Sequence, residues 1–343
     1  TFSVLSPLIA VPLLWLLIRL SNARLASWVW VLPAALFACY ASLLPAVLSG
    51  QEVLESWQWI PSLGVAFVLR ADGLSLLIAL LISGIGIFIF IYSAQYLSGH
   101  PDLDRFFARL TLFMAAMLGA VLVDDFVTLL VFWELTSVAS FLLIGFAPES
   151  AVSRRSAQQG FLITVCGGLA MMAGVILLGA QAGTYRFSEI IAQAPTLAAH
   201  PEAPWVIVLI AAGAFAKSAQ VPLHAWLPNA MVAPTPVSAY LHSATMVKLG
   251  VYLLARLNPV YGGHTLWIGL LLTVGLATML TSAILALRQT DLKRVLAYST
   301  VVSLGTLVML LALPHPLAAT AMVVFLIVHA LYKACLFMVG GIV

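Results

Sequence analysis

Charge is the property this chain has least of. Asp, Glu, Lys and Arg make up 8% of its 343 residues, against about 25% in ordinary soluble domains. With 63% hydrophobic residues and a mean hydropathy of +1.11, the chain lies outside the soluble range. The formal net charge of +3 carries no sign of a nucleic-acid partner. Cysteine is scarce as well. Cys39, Cys166 and Cys335 lie inside apolar runs without C-x-x-C spacing, which argues against a metal or disulfide site and reads as buried packing. No Walker loop, no dinucleotide G-x-G-x-x-G in a strand–helix context and no haem or iron–sulfur pattern is present. No cofactor-binding or metal site is therefore expected, and the driving force must come from an ion gradient or a partner subunit. The first apolar run lacks the basic flank and small-residue exit of a cleavable signal peptide. The chain opens without methionine and stops within LFMVGGIV, as a piece of a longer polypeptide would.

What is present is a succession of apolar runs of about 20 residues, the length that spans a bilayer as a helix. The reading is an all-α polytopic membrane protein with about eleven spans, at 2–20, 28–48, 73–97, 106–123, 125–146, 157–181, 204–227, 231–257, 264–287, 293–313 and 317–343. The connections alternate in charge. One set holds Arg19, Arg24, Arg105, Arg109, Arg154, Arg155, Arg288, Lys293 and Arg294. The other holds Arg70, Arg186 and Arg256 with Glu52, Glu55, Asp124, Asp125, Glu189 and Glu202. The positive-inside rule puts the first set in the cytoplasm and the N-terminus outside.

Lys217, Lys248 and Lys333 remain inside the spans, and Glu134 is the acid at mid-span. A charge near the bilayer centre costs about 2.5–3.5 kcal/mol even on lenient scales, and such residues mark ion pathways. The choice of lysine is informative, because a desolvated lysine can exchange protons near neutrality and arginine cannot. The stretch KSAQVPLHAWLPNAMVAPTPVSAYLHSATMVK, Lys217 to Lys248, adds His224, His242 and prolines 222, 228, 234 and 236. Pro222 predicts a helix broken shortly after Lys217, as in membrane helices that line cavities. His242 and Lys248, six apart, share a side only if the helix between them is irregular. His329 and Lys333, at i and i+4, share a helix face.

Structural roles compete with these. Glu134 could be tied to Thr136 or Ser137, and Lys217 could staple helices by pairing with Glu134, although desolvation makes such a staple poor value. Lys248 could snorkel to the surface, and His224, close to an interface, fits a structural hydrogen bond as well as a relay. The glycine pair Gly167–Gly168 reads as a helix-packing contact.

LHAWLPNAMVAPTPVSAYLHSATMVKLGVYLLARL and FWELTSVASFLLIGF resemble the antiporter-like subunits shared by respiratory complex I and Mrp-type cation/proton antiporters. LKRVLAYSTVVSLG and HALYKACLFMVGG look like the tenth and eleventh helices of that family. NAMVAPTPVSAYLHSATMVK is most similar to the large A-type subunits of bacterial Mrp antiporters, since the complex I relatives usually read aspartate after WLP and lack a lysine matching Lys248. The resemblance implies inverted five-helix repeats, with N-terminal helices in 1–100, a first repeat in 101–260 and the start of a second in 261–343. It implies a Glu134–Lys217 pair, a link through His242 and Lys248, and Lys333 as the central lysine of the second repeat. The implied protein is a transporter subunit, not an enzyme, in a hetero-oligomeric bacterial cell-membrane complex exchanging Na⁺ for protons. A proton-pumping subunit of a complex I-type NADH–quinone oxidoreductase is the alternative. A passive membrane scaffold is a third reading, for which buried lysines are a costly building material.

Overall fold

In hydrocarbon a helix satisfies its own backbone, so apolar runs bounded by capping residues become spans. The computed structural model describes residues 2–21, 24–60 and 65–342. The chain begins with α1 (Phe2–Leu20), a 3₁₀ turn at Arg24–Trp28, α2 (Val31–Ala41) and α3 (Leu44–Leu48). An antiparallel hairpin follows, β1 (Val53–Ile60) with β2 (Val65–Ala71). Four long helices come next: α4 (Gly73–Tyr96), α5 (Leu103–Leu122), α6 (Phe126–Ile144) and α7 (Ala151–Ala182). Short α8 (Phe187–Ala192) and α9 (Ala194–Ala198) lead into α10 (Ala203–Lys217). The chain then breaks into α11 (Trp226–Asn229), a 3₁₀ turn at Ala230–Val232, α12 (Thr235–Ala239), a π-helical turn at Tyr240–Ala244 and α13 (Met246–Tyr261). It ends with α14 (Thr265–Ala286), α15 (Leu292–Ala312) and α16 (Pro316–Gly340).

The boundaries follow local chemistry. Asp72 and Ser75 form a reciprocal capping box at α4, and Asp125, Ser150 and Asp291 accept amides at the starts of α6, α7 and α15. Gly183, at φ 67°, closes α7 in the left-handed conformation.

The molecule is an all-α, multi-pass membrane protein in its spanning part. Among the described residues eight helical stretches are long and apolar enough to cross a bilayer, one of them Arg24–Leu48, which joins the first 3₁₀ turn, α2 and α3; Val4–Leu20 and Ala203–Lys217 are shorter apolar helices. The difference from the eleven expected spans has local causes. The expected span 204–227 stops being helical at Lys217, and 231–257 is divided among several short pieces. The hairpin occupies a stretch to which the sequence reading assigned no element.

α5 is the central helix, with 78% of its span buried against 22% for α14. It packs between α1 and α6, while α7 lies on α6 and α10, and α14 on α15. At the α14–α15 crossing a side-chain carbon on Gly275 would come 2.8 Å from the Gly305 carbonyl oxygen, so the two backbones touch as small residues allow. On α14 Leu272, Leu276, Leu280 and Ile284 form an outward apolar stripe, as expected of a helix solvated by lipid. The same solvent corrects the reading of the cysteines. Cys39, Cys166 and Cys335 are exposed rather than buried, because in an apolar medium hydrophobicity no longer sorts inside from outside.

The expected loops of one face do meet. Arg70 binds Glu52 at 2.5 Å and Asp124 at 3.4 Å and lies 3.7 Å from Asp72. Arg256 grips both oxygens of Asp72 and donates to the Tyr252 hydroxyl at 3.0 Å, which donates to the Val121 carbonyl at 2.7 Å. Ser188 donates to Asp124 at 2.5 Å. The hairpin, the start of α4, the ends of α5 and α13 and the start of α8 are thereby joined in one ionic cluster.

Burial would raise the Asp72 carboxyl, but the Arg256 guanidinium and the Ser75 amide and hydroxyl bring it down from 3.8 to about 2. A carboxyl lower in the folded than in the unfolded state stabilises fully above its ordinary value and loses that contribution as pH falls toward the folded value. Acid unfolding of the purified complex, followed by tryptophan fluorescence, should therefore include a loss of stability between about pH 4 and pH 2. Asp72→Asn should flatten that part of the curve.

Candidate functional site

The intramembrane lysines sit where helical hydrogen bonding is interrupted or a neighbouring hydroxyl is at hand. α10 ends at Lys217, and Ala219 takes φ 48°. The last carbonyls of the helix before Lys217 are bonded. Ala214 accepts from the Ser218 amide at 2.9 Å, Phe215 from the Gln220 amide at 2.9 Å and Ala216 from the Trp226 indole at 3.0 Å. Fully buried Lys217 turns its ammonium to α6, donating to the Trp133 carbonyl at 3.0 Å and the Ser137 hydroxyl at 2.8 Å. It also lies 5.1 Å from the centre of the Trp133 ring, a cation–π distance.

Glu134 is the next residue along α6 and is half-buried. It interacts electrostatically with Lys217 and with Ser137. Among the described residues, however, no ion pair within 4.0 Å joins Glu134 to Lys217. The pair is adjacent and separated, with the Ser137 hydroxyl common to both.

The second interruption lies between His242 and Lys248. The backbone passes from the π turn through Thr245, at φ −128° and ψ −85°, into α13. The Tyr240 carbonyl takes the Thr245 hydroxyl at 2.8 Å, and the Ser243 carbonyl, released from helical bonding, accepts the Lys248 ammonium. Lys248 is 1% exposed; it ends on a backbone oxygen and does not snorkel. α13 meets α10 at Gly250, where a side-chain carbon would fall 2.2 Å from the Ala214 carbonyl oxygen. Close by, the Ser218 hydroxyl donates to the Val247 carbonyl at 2.7 Å. The residues following Lys217 and preceding Lys248 are thus in direct contact.

α16 carries the third group. Lys333 donates to the Ser299 hydroxyl and to the Leu296 carbonyl at 3.4 Å, both on α15. His329 lies one turn earlier, within electrostatic reach of both Lys248 and Lys333. His329 and His242 are fully buried, and none of their ring nitrogens has a hydrogen-bond partner in the protein. Such groups call for water or another proton carrier. His242 stacks edge-on against Trp226 at 5.9 Å.

The structure therefore brings together Glu134 with Lys217, and Lys248 with His329 and Lys333, and it joins the two sets through Ser218 and Val247. His224, only half-buried in the stretch between α10 and α11, makes no hydrogen bond to another predicted site residue among those described. Sequence reading missed Ser299, which no periodicity distinguishes from other helical serines. It also assigned Lys293 to a loop, whereas its ammonium reaches the Ala233 carbonyl at 2.8 Å and its charge acts on His242. The Asp291 cap, which starts α15 beside it, was the available signal. Among the described residues no group of three or more His, Cys, Asp or Glu could hold a metal ion.

The chain matches two family models, "NADH:quinone oxidoreductase/Mrp antiporter, TM" over residues 123–343 and "NADH-Ubiquinone oxidoreductase (complex I), chain 5 N-terminus" over residues 57–107. It is 45% identical to a probable K⁺/H⁺ antiporter A/B subunit of Rhizobium meliloti, covering 92% of this chain and 32% of that protein. It is 43% identical to the Na⁺/H⁺ antiporter A subunit of Alkalihalophilus pseudofirmus, covering 100% of this chain and 44% of that protein. The chain thus spans less than half the length of these relatives. Its fold resembles a chain of the Mrp complex from Dietzia sp., with a TM-score of 0.91, 38% identity and coverage of 98% and 36% of the two chains. A chain of Thermus thermophilus respiratory complex I shares the fold, with a TM-score of 0.85, 24% identity and coverage of 99% and 70%.

A hydrogen bond to a charged group contributes about 1.5–3 kcal/mol, and losing one partner leaves a buried ammonium under-satisfied. Ser137→Ala should accordingly lower the melting temperature of the purified complex in a thermal-shift assay. Lys217→Met in the same background should recover much of the loss, because no buried ammonium then needs the hydroxyl.

Proposed function

Since this chain belongs to the NADH:quinone oxidoreductase/Mrp antiporter transmembrane family, we propose that it is the proton-translocating part of the large A-type subunit of a Na⁺/H⁺ antiporter. It would work in the bacterial plasma membrane with the other subunits of a hetero-oligomeric complex. The observation that carries the reading is the seat of Lys217: a buried ammonium on a hydroxyl and a carbonyl, next to a carboxylate that it does not touch. A pair that only stapled helices would be in contact.

In the proposed cycle the Glu134 carboxylate, when it approaches, favours the ammonium form of Lys217. When it withdraws, the desolvated lysine sheds its proton. The proton passes by hydroxyls and buried water, past the place where α10 and α13 touch, to Lys248, then by His329 to Lys333, with His242 completing the wire. His224 would serve at the approach to the break after Lys217. The break at 240–245 provides a backbone oxygen to Lys248, the use to which interrupted helices are put in transporters. The architecture we assign is eleven spans, with N-terminal helices in 1–100, a first inverted repeat in 101–260 and the beginning of a second in 261–343. The N-terminus is outside, which puts the ionic cluster around Arg70 on the outer face.

Sodium is chosen because several relatives are named Na⁺/H⁺ antiporter subunits. The K⁺/H⁺ name of another relative makes potassium the competing cation, and the match to a complex I chain model keeps a redox-driven pump as the second reading.

The test uses inside-out vesicles carrying the full complex, energised by host respiration, with a dye reporting ΔpH. Added Na⁺ should collapse the gradient only when the complex is present. Collapse by K⁺ alone would reassign the cation, and NADH-driven proton uptake that depends on the complex, without a Na⁺ response, would favour the redox pump. Glu134→Ala should nearly abolish exchange while leaving assembly normal. Lys217→Arg should also inactivate, since arginine keeps the charge and does not titrate; full exchange in that variant would show a structural ion pair. For topology, a cysteine at Gln51 in a background without the three native cysteines should react with a membrane-impermeant maleimide from outside intact cells.

A further inference from the structure

The glycine pair on α7 that reads as a packing contact in the sequence does two different things. A side-chain carbon on Gly167 would meet Ala216 Cβ at 2.3 Å and the Ala212 carbonyl oxygen at 3.5 Å, so Gly167 lets α7 and α10 touch. A side-chain carbon on Gly168 would fall 1.9 Å from Glu134 Oε1 and 3.1 Å from its Cδ, with Trp133 Cδ1 next at 3.6 Å. The carboxylate of Glu134 therefore rests on the bare backbone of α7, in the space any other residue would fill. Meanwhile the Lys217 ammonium is held by Ser137 and the Trp133 carbonyl, beyond ion-pair distance of Glu134.

We propose that Gly168 is a positioning residue whose missing side chain forms a slot that docks the Glu134 carboxylate away from Lys217 and so sets the separated state of the pair. This rests on the Glu134–Lys217 reading above. The charged group acting on Glu134 is Lys217 of α10. α7 carries no charge after Arg155, Arg109 of α5 is engaged at the Leu142 carbonyl and the Phe146 ring, and α6 itself offers Ser137.

Alanine at 168 fills the slot. The close contact is with the tip of a flexible side chain and not with backbone, so the carboxylate moves and the helices stay. The displaced carboxylate goes to the nearest cation, Lys217, whose proton is then held more firmly.

The experiment uses the full complex in inside-out vesicles, comparing wild type, Gly168→Ala, Glu134→Asp and the double variant, with Glu134→Gln and Lys217→Met as controls. Assembly is read by blot, exchange by dye across a pH series, and modification of residue 134 by a carbodiimide through mass spectrometry. Gly168→Ala should assemble normally. Its exchange profile should move to higher pH by about one unit or more, the size of effect a charge brought close produces. Carbodiimide modification of Glu134 should slow several-fold, because a paired, ionised carboxyl reacts poorly. With Glu134→Asp, one methylene too short to reach the slot, Gly168→Ala should no longer change the modification rate.

Loss of assembly in Gly168→Ala would make Gly168 a packing glycine and overturn the proposal. So would an unchanged profile and labelling rate while Glu134→Gln is inactive, and in that case the Glu134–Lys217 reading would survive. Full exchange in both Glu134→Gln and Lys217→Met would instead remove that reading, whatever Gly168→Ala does.

Discussion

An ammonium in hydrocarbon must find oxygen, and a continuous α-helix offers only the second lone pair of carbonyls already bonded four residues on. This constraint shapes the middle of the chain. Lys248 ends on the Ser243 carbonyl, which is free only because the π turn and Thr245 interrupt the ladder. Lys217 and Lys333 use the other available device, a serine of the neighbouring helix with a carbonyl one turn before it. The break at 240–245 is thus part of the solvation of Lys248 and not an incidental irregularity. Both breaks in turn require the close approach of α10 and α13 at Gly250, since a break that was not buried in protein would leave its own amides and carbonyls facing lipid.

The lysines are seated on neutral oxygens, whereas the arginines of the hairpin face are paired with carboxylates. The two arrangements differ in what they permit. Arg70 and Arg256 are locked by charge and by bidentate geometry, which favours permanence. A lysine on a hydroxyl can give up its proton and still keep a hydrogen bond, because the neutral amine donates and the hydroxyl both donates and accepts. The chain uses the fixed cation where it joins segments and the titratable one in the membrane interior.

Much of the fold was legible in the sequence. Most expected spans agree with the helices to within a few residues, as 73–97 does with α4 and 293–313 with α15, because the bilayer writes helix length directly into hydropathy. The six-residue spacing of His242 and Lys248 posed helix irregularity as the condition for their sharing a side, and a π turn does lie between them. Other features were not legible, for physical reasons. Pro222 marked a break after Lys217, but not its extent: hydropathy averages Ser218, Gln220 and His224 with their apolar neighbours and carries the span on to residue 227. The first strand, Val-Leu-Glu-Ser-Trp-Gln, has no strict apolar–polar alternation to mark it, and the hairpin's strands are short beside the apolar runs. The outward placement of the cysteines could not be read, because lipid and protein interior reward the same side chains. Which serine a lysine would find depends on the rotation of two helices about each other, and one sequence does not encode that locally.

The ionic cluster has a mechanical consequence. It ties the hairpin, α4, α5, α8 and α13 at one membrane face, and each of its arginines bridges segments far apart in the chain. Of the elements it joins, α13 alone begins at a mid-membrane interruption, so any displacement at the turn around Thr245 is carried along α13 to the anchor at Arg256. The turns on the other side are joined without carboxylates, from Lys293 to the Ala233 carbonyl, from Asn229 to Gln159 and from Thr235 to Tyr96. Long-range ion pairing among the described residues is thus gathered on the hairpin side of the membrane.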